Sequence, residues 1–363
     1  MKKSERAYIT DCEGPISKND NAFELTGHFI SQGAKLFNQI SRYDDVLADI
    51  VKRKGYKAGD TLKLIAPFLK AYGVTDEKIS RFSTKNILLM PGAKATLRFL
   101  KELMPSFIVS TSYQQYIRAL CSVLDFPFKR THCTLLNIDS YQVGREERQV
   151  LKEFKQEICA MPLIEIPGNA KSVSDLSERD QETIIRLDEI FFEEMLQLES
   201  KIMFEEINPV GGTEKAKVTT DIVDQIGIDL SSVIYIGDSI TDVECFKLVK
   251  EKGGATISFN GNAYAVREAE IAVLSKNALA IAALADAFRR HGKAYLLKLV
   301  ESWRYTCLVQ FDVDPLLRKM IRAAFPKKLP KVSEITNRNM FELAAESSAF
   351  RKCVRGENVG MLG

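Results

Sequence analysis

Four places along the chain carry side chains that together have the makings of a phosphoryl-transfer site. Asp11 and Glu13 stand two residues apart, after the apolar run Arg6–Thr10 and before Gly14–Pro15. Ser110 follows the apolar run Ser106–Val109, and Lys215 follows the pair Gly211–Gly212. Asp238 and Asp242 follow Val233–Ile236. Asp11 and Asp238 can offer hard oxygens to Mg²⁺, which asks for only one or two carboxylates plus a phosphate. Lys215 and Ser110 can hold the remaining phosphate oxygens, because such chemistry depends on positioning and charge neutralisation.

Taken singly, each residue has an ordinary structural explanation. Asp11 is equally a turn aspartate ahead of Gly14–Pro15. Ser110 is a strand-end hydroxyl, and Lys215 a solvated helix residue with Lys217 as a rival for its role. Asp238 and Asp242 suit a helix start, where the macrodipole favours carboxylates. What outweighs these readings is their order on elements that can bring them together. Cys12 lies between two carboxylates with nothing nearby to activate a thiol, and is read as a packing residue.

Those elements are short apolar strands alternating with helices. Strands are expected at 6–10, 106–109, 233–236, 255–259 and 271–274, with helices at 93–103, 113–124 and 215–226. This pattern predicts an α/β fold with a Rossmann-like parallel sheet and helices on both faces. In such a sheet, ligands sit beyond the carboxyl ends of the strands, where all four residue sets fall. From 17 to 86 the apolar spacing is helical throughout, with Leu25, Phe29, Leu36 and Ile40 in one stripe and Leu62, Ile65, Phe68 and Leu69 in another. A long amphipathic helix is expected to place Ile184, Leu187, Phe191, Met195, Leu198 and Ile202 on one face, buried against this chain or a twin. From Arg289 onward the sequence reads as mainly helical.

Composition bounds the rest. The chain has 363 residues, 45% hydrophobic and 27% charged, with a net charge of +3. That is enough for a large core and more than one substructure. No apolar run is long enough to span a bilayer, and the charged start, Met1–Arg6, is not that of a signal peptide, so a cytoplasmic location is expected. Seven dispersed cysteines with no CxxC pair suit reduced thiols better than disulfides or zinc. The segment 289–363 carries 15 Lys+Arg against 7 Asp+Glu, whereas 175–206 carries 3 against 11. The basic tail is read as packing near the acidic segment of its own chain rather than on nucleic acid.

The series Asp11–Cys12–Glu13–Gly14–Pro15, Phe107–Ile108–Val109–Ser110, Lys215 and Gly237–Asp238–Ser239–Ile240–Thr241–Asp242 resembles the four motifs of the haloacid dehalogenase (HAD) superfamily. The plan is similar to phosphoserine phosphatases, with a helical cap between the first two motifs, and to a little-characterised archaeal HAD-like branch. The resemblance implies an α/β core from 1–16, 87–144 and 208–288 and a cap over 17–86. It leaves a helical acidic insertion, 145–207, and a basic extension, 289–363, unexplained. It also implies a Mg²⁺-dependent phosphatase acting on a small phosphorylated metabolite. Asp11 would be the nucleophile that forms an aspartyl phosphate, Glu13 the general acid and base, and Lys215 the balancing cation. Phosphate would be held by Ser110, Thr111 and Lys215, and the metal by Asp11, Glu13, Asp238 and Asp242. Glu13 departs from the aspartate usual at that position and carries its proton one methylene further out. Lys18, Asn19, Asn21, Glu24, Arg118 and 113–116 lie near enough in sequence to select substrate. Two other functions fit the same residues: a non-catalytic or regulatory subunit with a protein partner, and a phosphotransferase or mutase. A homodimer is compatible with all of them.

Overall fold

A computed structural model describes residues 6–168, 170–360 and 362; the charged segment 1–5 lies outside them. Seven strands form one sheet in the order β3-β2-β1-β4-β5-β6-β7. They are β1 (Ala7–Thr10), β2 (Ser106–Tyr113), β3 (Thr131–Thr134), β4 (Val233–Gly237), β5 (Ala255–Phe259), β6 (Ile271–Leu274) and β7 (Lys331–Glu334). The first six run parallel, and β7 closes the edge antiparallel to β6. This is the α/β, Rossmann-like architecture that the strand and helix alternation predicts.

β1, β4, β5 and β6 are buried at every position. Strands covered on both faces need apolar side chains on both, which is why they read as continuous runs rather than alternations. One face packs on the helices Ala93–Leu103, Gln114–Leu124 and Leu279–His291. The last of these is buried continuously from Leu279 to Phe288. The other face packs on Thr213–Ile226 and Val243–Glu251.

Two strands escaped the sequence reading. β3 (THCT) and β7 (KVSE) are four-residue edge strands with polar side chains, too short to display a period. The tail is mainly helical, as its sequence suggests, but β7 interrupts it and pairs Val332 with Val273.

The helices that follow β1 share one apolar core with the segment 145–207. Phe191 stacks on Tyr43 at 5.9 Å between ring centroids and meets Phe68 edge-on at 6.3 Å. Ile184, Leu187, Phe191 and Met195 bury against their own chain, as one of the two expected arrangements has it. The expected single helix instead ends at Glu189 and continues as a π-helical turn and a short 3₁₀ turn. The change of winding takes Ile202 off the buried face and leaves it 41% exposed, while Met203 points inward.

Because Phe191 ties the two helical segments together, Phe191→Ala is expected to lower stability by roughly 3–5 kcal/mol. Ile185→Ala, on the exposed side of the helix that leads into the turn carrying Phe191, is expected to change it by no more than about 0.5 kcal/mol. Urea midpoints of the two variants test this; equal losses would mean that the shared core is not what holds these segments.

Candidate active site

The chain leaves β1 toward one edge of the sheet and β4 toward the other, so their carboxyl ends flank the crevice where doubly wound sheets bind ligands. Asp11 sits at the end of β1, its N–H donating to the Ile236 carbonyl of β4 at 2.8 Å. Asp238 follows β4. Asp11, Asp238 and Asp242 each present an oxygen within 4.8 Å of one another. Gly14, at φ +99°, lets the turn pass over Asp238: a Cβ there would lie 2.2 Å from Asp238 Oδ2.

Lys215 binds this cluster together. Its Nζ is fully buried and donates to Asp11 Oδ2 at 2.9 Å, to Asp242 Oδ1 at 2.8 Å and to Thr241 Oγ1 at 3.2 Å. Burial works against the ammonium charge, but Asp11 and Asp242 outweigh it and hold the lysine above its ordinary value. For Asp11 the order is reversed: burial pushes the carboxyl up and Lys215 pulls it back. Lys217, the rival, points outward and pairs loosely with Glu214 at 3.8 Å. The preceding Gly211 and Gly212 permit the close approach. A Cβ on Gly211 would lie 2.2 Å from the Ala58 carbonyl, and Gly212 N–H donates to the Thr241 carbonyl at 2.9 Å.

The remaining expected residues divide. Asp242 is at the site, but its oxygens are already engaged: Oδ1 by Lys215 and the Tyr235 hydroxyl, Oδ2 by the N–H groups of Asp238 and Ser239. These contacts hold the β4 loop and the lysine, while Asp242 remains one of the three converging carboxylates. Glu13 is not among the three converging carboxylates. Its Oε1 accepts from the N–H of Asn21, at the start of the helix Asn21–Phe29. Burial, with Asp20 adding repulsion, pushes its carboxyl well above the ordinary range. Ser110 accepts from Ser112 N–H at 3.2 Å, and it is Ser112 and Thr111 that line the cavity above the carboxylates. The Thr111 hydroxyl donates to the Val210 carbonyl at 3.0 Å. Arg118 lies on the Phe128 ring at 3.9 Å. Glu24 accepts from the Asn19 amide.

Two residues of the site were not anticipated. Arg351 and Arg355, from the helix Met340–Arg355, both donate to Asp238 Oδ2. The basic tail thus meets Asp238 rather than the acidic segment 175–206, whose ion pairs among the described residues run to Arg53, Arg179 and Arg186. The helical block contributes Asp44 and Asp45 to the opposite wall of the cavity. Cys12 is buried, and burial raises its thiol, in keeping with a packing role.

These features define an α/β fold with a Rossmann-like parallel sheet and a charged cluster at its switch point. No family model matches the chain, and no curated protein matches it. Over its whole length the chain is similar to a solved structure, gene product AF1437 from Archaeoglobus fulgidus, with 28% identity, 99% of each chain covered and a TM-score of 0.80. A substrate-bound phosphoserine phosphatase is a more distant likeness, at 14% identity and a TM-score of 0.49 over 77% of this chain and 98% of that one. Among the described residues no helix is long and apolar enough to cross a membrane.

The carboxylate wall makes stability depend on pH. Burial pushes the Asp45 carboxyl up to about 8, Arg42 opposing and Asp44 reinforcing the shift. An acid raised in the folded state binds its proton more tightly there than in the unfolded chain. Its contribution is therefore complete below the ordinary carboxylate value and is lost as pH rises toward 8. Asp45→Asn, which mimics the protonated form, is expected to gain stability relative to the parent between pH 5 and 8, by at most about 1.4 kcal/mol per pH unit. Melting curves of both proteins across that range check the sign; a variant that loses ground as pH rises contradicts it.

Proposed function

We propose that this protein is a Mg²⁺-dependent phosphohydrolase that cleaves a small phosphomonoester through an aspartyl-phosphate intermediate. The observation that carries this reading is the buried Lys215 ammonium joining Asp11 to Asp242 at the switch point of the sheet. Charge of this kind, fixed before the reaction and shielded from water, is what stabilises phosphoryl transfer.

Asp11 is the nucleophile in this scheme. Its Oδ1 is held by the N–H of Cys12 at 2.6 Å and its Oδ2 by Lys215, so the carboxylate is oriented and cannot rotate away. Attack by one of its oxygens on phosphorus forms the acyl phosphate as the ester P–O bond breaks. The leaving alkoxide then takes a proton from Glu13, whose carboxyl burial raises well above its ordinary range. A carboxyl that accepts through one oxygen, as Glu13 does from Asn21, still donates through the other. Water subsequently attacks the acyl phosphate and gives its proton to Glu13, restoring Asp11 and releasing phosphate. The helical block closes the cavity and limits the entry of water.

The donor set suits a hard divalent cation, since it consists of carboxylate oxygens within 4.8 Å of one another. Asp11 and Asp238 would hold Mg²⁺, with Asp242 bracing the loop. The ion would lower the repulsion between a phosphate dianion and a carboxylate nucleophile. The full-length likeness to the Archaeoglobus fulgidus protein supports an archaeal branch for this chain.

A second reading, a non-catalytic subunit on the same fold, draws on the arginine pair already seated on Asp238. One experiment separates the two: phosphate release from a broad panel of phosphorylated metabolites, with Mg²⁺ and with EDTA. Metal-dependent release from one compound class is expected, and Asp11→Asn, measured below its own melting temperature where circular dichroism shows it folded, is expected to lower it by on the order of 10³ or more. Release that persists in Asp11→Asn would rule out the aspartyl intermediate. Silence of the parent protein across the panel would favour the non-catalytic subunit.

A further inference from the structure

The helix Met340–Arg355 lies beyond the parallel strands of the sheet and beyond the helical block, yet it reaches the reacting centre. Ser347, Arg351 and Arg355 recur every four residues on one face. The Ser347 hydroxyl donates to the Gly261 carbonyl at 2.6 Å, fixing the helix against the loop after β5. Arg351 Nη1 donates to Asp238 Oδ2 and, at 3.2 Å, to the Asp238 carbonyl. Arg355 donates from Nη1 to the same Oδ2 at 3.0 Å, from Nε to the Lys18 carbonyl at 3.0 Å and from Nη2 to the Asn19 carbonyl at 2.5 Å. Both guanidinium groups line the cavity that Asp11 and Asp238 line.

This arrangement is lopsided at Asp238. Two full positive charges converge on a single oxygen of Asp238, with Asp20 as a further carboxylate nearby. Arg351 is only 2% exposed, and its Nε–H has no acceptor. A buried guanidinium with an unmet donor inside a polar cavity calls for an acceptor that is not a protein group. The planar fork of arginine matches the oxygens of a phosphate better than any other side chain.

We propose that Arg351 and Arg355 are the anion-binding side of this site, a fork that rests on Asp238 and turns to the phosphate group of the ligand when it enters. The assignment rests on the phosphohydrolase reading and adds residues that the four motifs do not contain. The charge count agrees with it. Within the cluster Asp11, Asp238 and Asp242 match Lys215, Arg351 and Arg355 in number, so a divalent cation and a phosphate dianion can enter there together without net change; Glu13, Asp20, Asp44 and Asp45 also line the cavity. The cation would take over Asp238, and the arginines released from it would meet the phosphate oxygens.

Calorimetric titration of the full-length protein with inorganic phosphate and with tungstate, each in Mg²⁺ and in EDTA, tests the assignment. Arg355→Gln and Arg351→Gln are each expected to weaken anion binding at least tenfold. Binding of Mg²⁺ alone is expected to be unchanged or tighter in both, because Asp238 is less occupied; a general loss of structure would weaken it. Should Arg351→Gln fail to fold, Arg351→Lys takes its place, with a loss of several-fold because a point charge cannot fork. Parent-like anion affinity in either position's folded variant overturns the paired fork. A parent protein that binds neither anion in either condition overturns both this assignment and the phosphohydrolase reading. A parent that binds them through residues other than the arginines overturns this assignment alone.

Discussion

The ammonium of Lys215, buried without solvent between Asp11 and Asp242, is the interaction on which the rest of the site depends. Taking such a charge out of water is costly, and only close, well-aligned partners offset the cost. Each partner is therefore itself held. Asp242 is gripped by Tyr235 and two backbone N–H groups, Asp11 by the N–H of Cys12, and the lysine by a helix that begins directly after two glycines. Removing any one of the three charges would leave the others buried and unbalanced, which typically costs roughly 3–5 kcal/mol. Stability and chemistry share one set of atoms here, so the site cannot loosen without the sheet's central strands feeling it.

The second organising fact is the placement of charge around that core. Below the cavity, carboxylates and cations alternate in contact. Above it, Asp44 and Asp45 sit on the helical block, with burial raising both acids to about 7 and about 8. The π-helical turn Val46–Ile50 begins immediately after them. Such turns insert an extra residue into a helix and re-aim the side chains on either side. The wall that faces Asp11, Asp238 and the arginines is therefore acidic and set at a break in helical winding, and a ligand must satisfy both walls at once.

How much of this could be read in the sequence follows from how local each signal was. β1, β4, β5 and β6 were legible because strands buried on both faces must be apolar at every position, and Gly227 closes the helix Thr213–Ile226 in the left-handed conformation that a glycine adopts freely. Asp11, Lys215 and Asp238 were legible because strand ends converge in a parallel sheet. The orientation of Glu13 and Thr111 was not, because each is set by a partner far along the chain or across a turn: the N–H of Asn21 for one, the Val210 carbonyl for the other. Arg351 and Arg355 were least visible of all. Their separation from Asp238 exceeds 100 residues, and an arginine on an amphipathic helix looks the same whether it faces solvent or a carboxylate.

That long separation has a consequence for biosynthesis. A chain emerging from the ribosome amino-terminus first can assemble β1 through β6, and with them Asp11, Lys215 and Asp238, before the helix Met340–Arg355 has been made. Through that interval the acidic crevice stands without its two guanidinium groups and carries a net negative charge. The nascent protein is thus electrostatically a different object from the finished one, better suited to capture a cation than an anion, and only the arrival of Arg351 and Arg355 gives the crevice its final polarity.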